Sequence, residues 1–81
     1  MSIRISHPTN KVNFSRVDTE NYTLWFSYET PIAIYVPGQG TFVRENNWGP
    51  TTGRHLNAID TDRSARLTTE EFTAVMRKAG V

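Results

Sequence analysis

Cysteine is absent from the 81-residue sequence. Its absence excludes a disulfide framework, a thiolate metal site and a cysteine nucleophile. Long apolar runs are absent as well, since no stretch approaches the ~20 residues that a membrane-spanning helix requires. The first ten residues, MSIRISHPTN, lack the apolar stretch of a secretory signal. We therefore expect a cytoplasmic protein with no membrane partner.

Charge of one sign is also scarce. Nine Lys and Arg residues stand against eight Asp and Glu residues, which gives a formal net charge of +1. Bulk nucleic-acid binding normally needs a concentrated basic patch, so this balance argues against it. The composition, 37% hydrophobic and 21% charged, is typical of a folded chain. We expect one domain over residues 1–81, and its small core leaves homo-oligomerisation open as a source of stability.

The N-terminal half has the two-residue periodicity of β-strands. Residues 22–28 alternate clearly, and the β-branched run 32–36 follows after a short connection. The turn sequence Pro-Gly-Gln-Gly at 37–40 then leads into 41–45. These three segments predict an antiparallel meander.

Two shorter alternating segments precede this meander. Ile3 and Ile5 alternate with polar residues, and so do Val12 and Phe14. With residues 7–10 as the turn between them, they predict two short edge strands.

From residue 46 the apolar period lengthens to about 3.6 residues, the helical value. A helix over 52–59 would bring four side chains into one arc of roughly 100°: Thr52, His55, Leu56 and Ile59. Farther along, Thr68 and Glu71 form the pattern of a capping box, and Leu67 and Phe72 that of a hydrophobic staple. The expected fold is therefore α+β: a small antiparallel sheet, made of the meander and N-terminal edge strands, followed by two short C-terminal helices.

The segment between the two predicted helices resembles the calcium loop of an EF-hand. Asp60, Asp62, Ser64 and Glu71 occupy its first, third, fifth and twelfth positions, and the Arg66 carbonyl occupies the seventh. Calcium binds oxygen ligands of these kinds. The resemblance implies a calcium-binding regulatory module built on residues 60–71.

Three features of this loop depart from the EF-hand pattern. Ala65 stands at the sixth position, where the loop needs a glycine for its sharp turn. Arg63 and Arg66 place positive charge among the ligands, and the chain has one such loop where EF-hands are normally paired. The competing interpretation is a solvated loop whose last residues cap the second helix. We favour capping and expect no cofactor, with calcium as the alternative.

A second dense patch, VRENNWGPTTGRH, covers residues 43–55. A helix that begins near Thr51 presents unpaired backbone N–H groups, which favour an anion. Arg44 and Arg54 would add positive charge, and Trp48 would stack on a base or sugar. The candidate site for a small anionic nucleotide therefore consists of six residues: Arg44, Trp48, Thr51, Thr52, Arg54 and His55.

The same residues also have a purely structural interpretation. Thr51 would be the N-cap of the helix, Trp48 would cover the core, and both arginines would be solvated. His55 would be a half-buried, hydrogen-bonded residue. The nucleotide hypothesis requires that Trp48 is partly exposed and that Arg54 lacks a carboxylate partner.

Catalytic patterns are missing from the sequence. The two histidines, His7 and His55, are not accompanied by a nucleophile elbow, a paired-histidine zinc motif or a phosphate-binding loop. We do not expect an enzyme.

Two segments, FSYETPIAIYVP and NNWGPTTGRHLNAI, resemble a group of small uncharacterised proteins from bacteriophages and mobile elements. These share a Ser-Tyr-x-Thr-Pro pattern followed by Trp-x-x-Thr-Thr-x-x-His. The residues that match it here are Ser27, Tyr28, Thr30, Pro31, Trp48, Thr51, Thr52 and His55. The resemblance implies an accessory protein of a phage, expressed in the cytoplasm of the bacterial host. It implies no activity.

These observations together predict a non-catalytic phage accessory protein that acts by binding. Its partner is either a host protein, which it would antagonise in host defence, or a nucleotide-type signal, which it would sequester. The alternative from a different class is the EF-hand-like calcium module.

Overall fold

The computed structural model of the protein describes residues 3–8 and 13–81. Five strands form one antiparallel sheet in chain order, and two helices follow the sheet. The strands are β1 (Arg4–Ser6), β2 (Phe14–Asp18), β3 (Thr23–Ser27), β4 (Thr30–Val36) and β5 (Gly40–Val43). The helices are α1 (Pro50–Ile59) and α2 (Thr69–Ala79), with a short 3₁₀ turn (Arg63–Ala65) between them. The α+β fold class expected from the sequence is confirmed.

The N-terminal strands continue the meander outward from β3. β2 pairs with both β1 and β3, so β1 alone forms this edge of the sheet. Val12, and Thr9 and Asn10 of the predicted turn, lie outside the described residues. At the other end of the sheet, Arg44 forms an isolated parallel bridge with Leu67. β5 therefore ends at Val43, two residues before the predicted end.

The β3–β4 hairpin contains two irregularities. Trp25 is paired with Ala33 and Phe26 with Pro31, so Ile32 is an extra residue on β4. Such a bulge accommodates Pro31, which cannot donate a ladder hydrogen bond. Tyr28 follows Ser27 at the turn with φ of +56°, a left-handed conformation that normally favours glycine.

The two helices pack against opposite faces of the sheet. Successive side chains of a strand point to opposite faces, and the neighbours Ala33 and Ile34 of β4 accordingly belong to two different apolar clusters. The first cluster comprises Phe14, Ile32, Ala33, Val43 and Leu56 of α1. The second comprises Leu24, Ile34 and Phe72 of α2, with half-buried residues around them. Each helix therefore covers its own core.

α1 begins earlier than the sequence suggested. Its N-cap is Gly49, which makes no side-chain cap, and Pro50 is the first helical residue. Proline suits this position because its φ is already helical and its missing N–H has no partner there. Thr51 is therefore not the N-cap that the structural interpretation assigned to it.

α2 begins and ends as its sequence signals indicate. The Thr68 hydroxyl accepts from the Glu71 N–H, and the Glu71 carboxylate accepts from the Thr68 N–H. These two bonds form the predicted capping box. The helix ends at Gly80, whose φ of +93° is that of a left-handed C-cap.

Candidate functional site

Trp48 lies in the loop before α1, and 45% of its surface is exposed. Its ring centroid is 4.8 Å from Cζ of Arg44, and the same Cζ is 5.4 Å from the ring centroid of Phe72. Arg44 itself is only 8% exposed. The guanidinium group therefore links a half-exposed indole ring to a ring of the core, by contacts that carry a cation–π attraction.

Hydrogen bonds hold this arrangement in place. Nη1 of Arg44 donates to the Pro31 carbonyl at 3.3 Å, and Nη2 donates to the Thr69 hydroxyl at 2.9 Å. Asn47 donates to the same hydroxyl at 3.2 Å. The backbone N–H of Trp48 donates to Oδ1 of Asn46 at 3.0 Å. The loop is thus tied to β4 and to the first residue of α2.

Two other predicted site residues face the sheet. The Ser27 Oγ lies 3.0 Å from the Thr52 hydroxyl and 2.7 Å from Nδ1 of His55. All three residues are buried, and the His55 ring stacks on Phe14 with a centroid distance of 4.6 Å and an interplanar angle of 5°. His55 is therefore the hydrogen-bonded residue of the structural interpretation, although it is more deeply buried than that interpretation expected.

Ser27 completes this buried group and was not among the predicted site residues. The resemblance pattern contains Ser27, Thr52 and His55, but nothing in the pattern says that the serine contacts the other two. Their separations of 25 and 28 residues become contacts only after the sheet and α1 have packed together.

The remaining two predicted residues lie on the outer part of α1. Thr51 is half-buried, and Arg54 is exposed. Within residues 3–8 and 13–81, Arg54 has no hydrogen bond and no ion pair, as the nucleotide hypothesis requires. The described contacts thus join Arg44 to Trp48, and Thr52 to His55 through Ser27, but they do not join these two groups to each other.

The carboxylates of the calcium-like loop bond within the loop. Oδ1 of Asp60 accepts from the Asp62 N–H at 2.9 Å. Oδ1 of Asp62 accepts from the Ser64 hydroxyl at 2.6 Å and from the Ser64 N–H at 3.0 Å. The bond from the hydroxyl, followed by that from the N–H, lowers the pKa of Asp62 from its ordinary value. These bonds are typical of a tight polar turn.

The outer residues of the same loop are also engaged. Nη2 of Arg66 donates to Oδ1 of Asn57 at 2.9 Å, which ties the loop to α1. Glu71 serves in the capping box. In the part of the chain that the structure describes, no group of three or more His, Cys, Asp or Glu side chains is placed to hold a metal ion. Calcium binding stays a prediction of the sequence pattern.

Thr68→Ala separates the capping interpretation from the calcium interpretation. We expect it to lower the free energy of unfolding by about 0.5–2 kcal/mol through loss of the N-cap. The loss should be equal with calcium and with a chelator, measured by urea denaturation. If calcium instead raises the melting temperature in proportion to its concentration and Glu71→Gln removes the rise, the loop binds calcium.

The capping box also has a pH signature. The Thr68 backbone N–H, and then its hydroxyl, lower the pKa of Glu71. A carboxylate whose folded pKa is depressed contributes stability above its unfolded pKa, and this contribution is lost as the pH falls through the folded pKa. Thr68→Ala keeps the backbone N–H and removes only the smaller contribution of the hydroxyl. Its cost in free energy of unfolding, measured by urea denaturation at several pH values, should therefore be slightly lower in acid than at neutral pH.

The sequence model of a family of unknown function, DUF8033, matches residues 3–74. The chain belongs to the DUF8033 family. The DUF8033 match includes all five strands, α1 and the first part of α2. No curated protein and no solved structure gave a match.

Membership of DUF8033 agrees with the resemblance in one respect: both assign the chain to an uncharacterised group. Among the described residues, neither α1 nor α2 has the length and apolar character that a membrane-crossing helix needs.

Proposed function

We propose that this DUF8033 protein is a non-catalytic accessory protein of a phage that binds a host protein in the bacterial cytoplasm and so antagonises host defence. The observation that carries the proposal is the half-exposed Trp48, held against the buried guanidinium of Arg44. Tryptophan is among the residues most enriched in the energetic centres of protein interfaces.

The fixed position of Trp48 supports this role. Arg44 is anchored by its bonds to Pro31 and Thr69, and the loop backbone is held by Asn46. A side chain that is already ordered loses little conformational entropy when it is buried by a partner. The free part of the indole is therefore a preorganised contact surface.

The burial of the Ser27–His55 contact supports a non-catalytic role. Ser27 is 2% exposed, and His55 is also buried. A nucleophile must reach its substrate, and both side chains are occupied between β3 and α1. Their geometry is that of a structural hydrogen bond.

A small anionic nucleotide is the second candidate ligand, and two observations favour it. Trp48 has surface available for stacking on a base, and the exposed Arg54 has no carboxylate partner in the described part of the chain. Thr52 and His55 are occupied by Ser27, so the ligand would be held by the indole, Arg54 and the first turn of α1. EF-hand-like calcium binding is the remaining alternative, and the titration above tests it.

Trp48→Ala is expected to weaken binding of the host protein by more than tenfold, because an interface hot spot contributes at least ~2 kcal/mol. The partner would be captured from a lysate of the bacterial host and its affinity then measured with purified proteins by calorimetry. Tyr35→Ala removes another exposed aromatic side chain and serves as the matched control. Equal affinity of the Trp48→Ala variant would contradict the proposal.

The nucleotide candidate needs its own measurement. Fluorescence of Trp48 in a Trp25→Phe background would report stacking of linear and cyclic nucleotides on the indole. A dissociation constant below about 1 mM corresponds to more than roughly 4 kcal/mol and would support this ligand class. Weaker binding across the whole set would leave the host protein as the partner.

A further inference from the structure

The turn between β3 and β4 carries a feature that neither the fold nor the proposed function explains. Tyr28 has a backbone φ of +56°, and 59% of its surface is exposed. A bulky residue in the left-handed region is strained, and glycine would occupy this position with less cost. Strained residues that persist in folded proteins cluster at functional sites.

Tyr28 borders an open depression of about 700 Å³ on the surface. The described residues that line it are Asn13, Tyr28, Glu29 and Thr30. The backbone N–H of Tyr28 donates to the Asn13 carbonyl at 2.8 Å, which fixes the turn against the start of β2. The depression thus lies between two segments that are bonded together.

The groups around the depression have a consistent chemistry. The exposed Glu29 carboxylate has no hydrogen bond or ion pair within residues 3–8 and 13–81. Oδ1 of Asn13 is buried and finds no hydrogen-bond partner in the same part of the chain. Asn13 is itself one of the residues that line the depression, so this unpaired acceptor belongs to its wall. The lining therefore combines a negative charge, an aromatic face and an unpaired acceptor.

We propose that this depression binds an arginine side chain of a partner protein. A guanidinium group is planar and positively charged, so it stacks on the Tyr28 ring. Its N–H groups donate to the Glu29 carboxylate and to the Asn13 amide oxygen, which satisfies an acceptor that is otherwise costly to bury. The site is separate from Trp48 and does not depend on the role proposed for that residue.

A structural role for Tyr28 gives a different expectation. Its ring centroid is 6.3 Å from that of His55 at an angle of 50°, so the tyrosine also adjoins the buried Ser27–His55 contact. If its only task were to cover that contact, Tyr28→Gly would lower the melting temperature. For an arginine site, the same substitution relieves the backbone strain and removes the ring, so binding is lost while the melting temperature does not fall.

The test uses three acetylated peptide amides that differ in one residue: Gly-Gly-Arg-Gly-Gly and its lysine and citrulline counterparts. Amide chemical shifts of the full-length protein are followed by NMR during titration. We expect saturable shifts at Tyr28, Glu29 and Thr30 with the arginine peptide, a weaker effect with lysine, and no saturable shift with the neutral citrulline. Equal shifts from the citrulline peptide would overturn the proposal.

Two variants and a control complete the experiment. Tyr28→Gly and Glu29→Gln should each weaken binding of the arginine peptide at least tenfold, while Glu45→Gln, which changes an exposed carboxylate elsewhere, should leave it unchanged. Glu29→Gln is informative even if Tyr28→Gly fails to fold. The Glu29 side chain is exposed and makes no hydrogen bond or ion pair within the described residues, so its replacement should leave the fold intact. Unchanged binding by Glu29→Gln, or a dimer of the protein that this substitution dissociates, would overturn the assignment to a partner's arginine.

Discussion

Phe72→Ala is expected to lower the free energy of unfolding by about 3–5 kcal/mol, the usual cost of removing a buried phenylalanine. Phe72 is 0% exposed and packs with Leu24 and Ile34, which makes it the central contact between α2 and the sheet. A chain of this size has a total stability of roughly 5–15 kcal/mol, so the loss is a large fraction of the whole. Urea denaturation with wild-type and variant protein measures it.

Lys78→Ala on the same helix is the matched control. Lys78 is exposed, and substitutions at such positions change stability by less than about 0.5 kcal/mol. A second readout comes from the ring contact between Phe72 and Arg44. Loss of the phenylalanine should free the guanidinium and change the fluorescence of Trp48. An unfolding midpoint that is unchanged in Phe72→Ala would show that α2 does not complete the core.

The role of Phe72 could be predicted because its signals are local. The capping box at Thr68 and Glu71 fixes where α2 begins, and the apolar period then fixes which side of the helix faces the sheet. The strands of the meander were predictable for the same reason, since alternation is a property of adjacent residues. Local rules therefore gave the α+β fold class.

The candidate site was less predictable because its geometry depends on distant residues. Arg44 was predicted to contribute charge to a ligand, and in the structure its guanidinium donates to the Pro31 carbonyl and the Thr69 hydroxyl. The sequence does not show that the Thr69 hydroxyl and the Phe72 ring lie beside the end of β5. The parallel bridge between Arg44 and Leu67 and the packing of Phe72 against the sheet bring them there.

Helix α1 shows the same limit at its start. Its apolar arc was correctly placed on Leu56 and Ile59, but the arc does not say where the helix begins. Gly49 and Pro50 decide that point, because the proline ring already has a helical φ. The arc alone predicts that the side of α1 with Arg54 is exposed. It does not predict which residue bonds to the buried Thr52 and His55.

That partner is Ser27, and Ser27→Ala is expected to lower the free energy of unfolding by about 1–3 kcal/mol. The serine is 2% exposed and contacts both Thr52 and Nδ1 of His55. Its removal leaves the buried Thr52 hydroxyl and the imidazole nitrogen without their shared partner, in a place that water does not reach. Ser15→Ala is the matched control, since it changes a less buried serine of the neighbouring strand β2.

A double-mutant cycle with Thr52→Val distinguishes this hydrogen bond from a simple packing effect. Valine has the shape of threonine without its hydroxyl. In the double variant, the loss of the serine therefore no longer leaves a buried Thr52 hydroxyl without a partner. We expect the double variant to lose about 0.5–1.5 kcal/mol less than the sum of the two single losses. Strict additivity, or a Ser27→Ala cost equal to that of Ser15→Ala, would mean that the bond contributes little. α1 would then be held on the sheet mainly by the packing of Leu56 and Ile59 and by the stacked rings of Phe14 and His55.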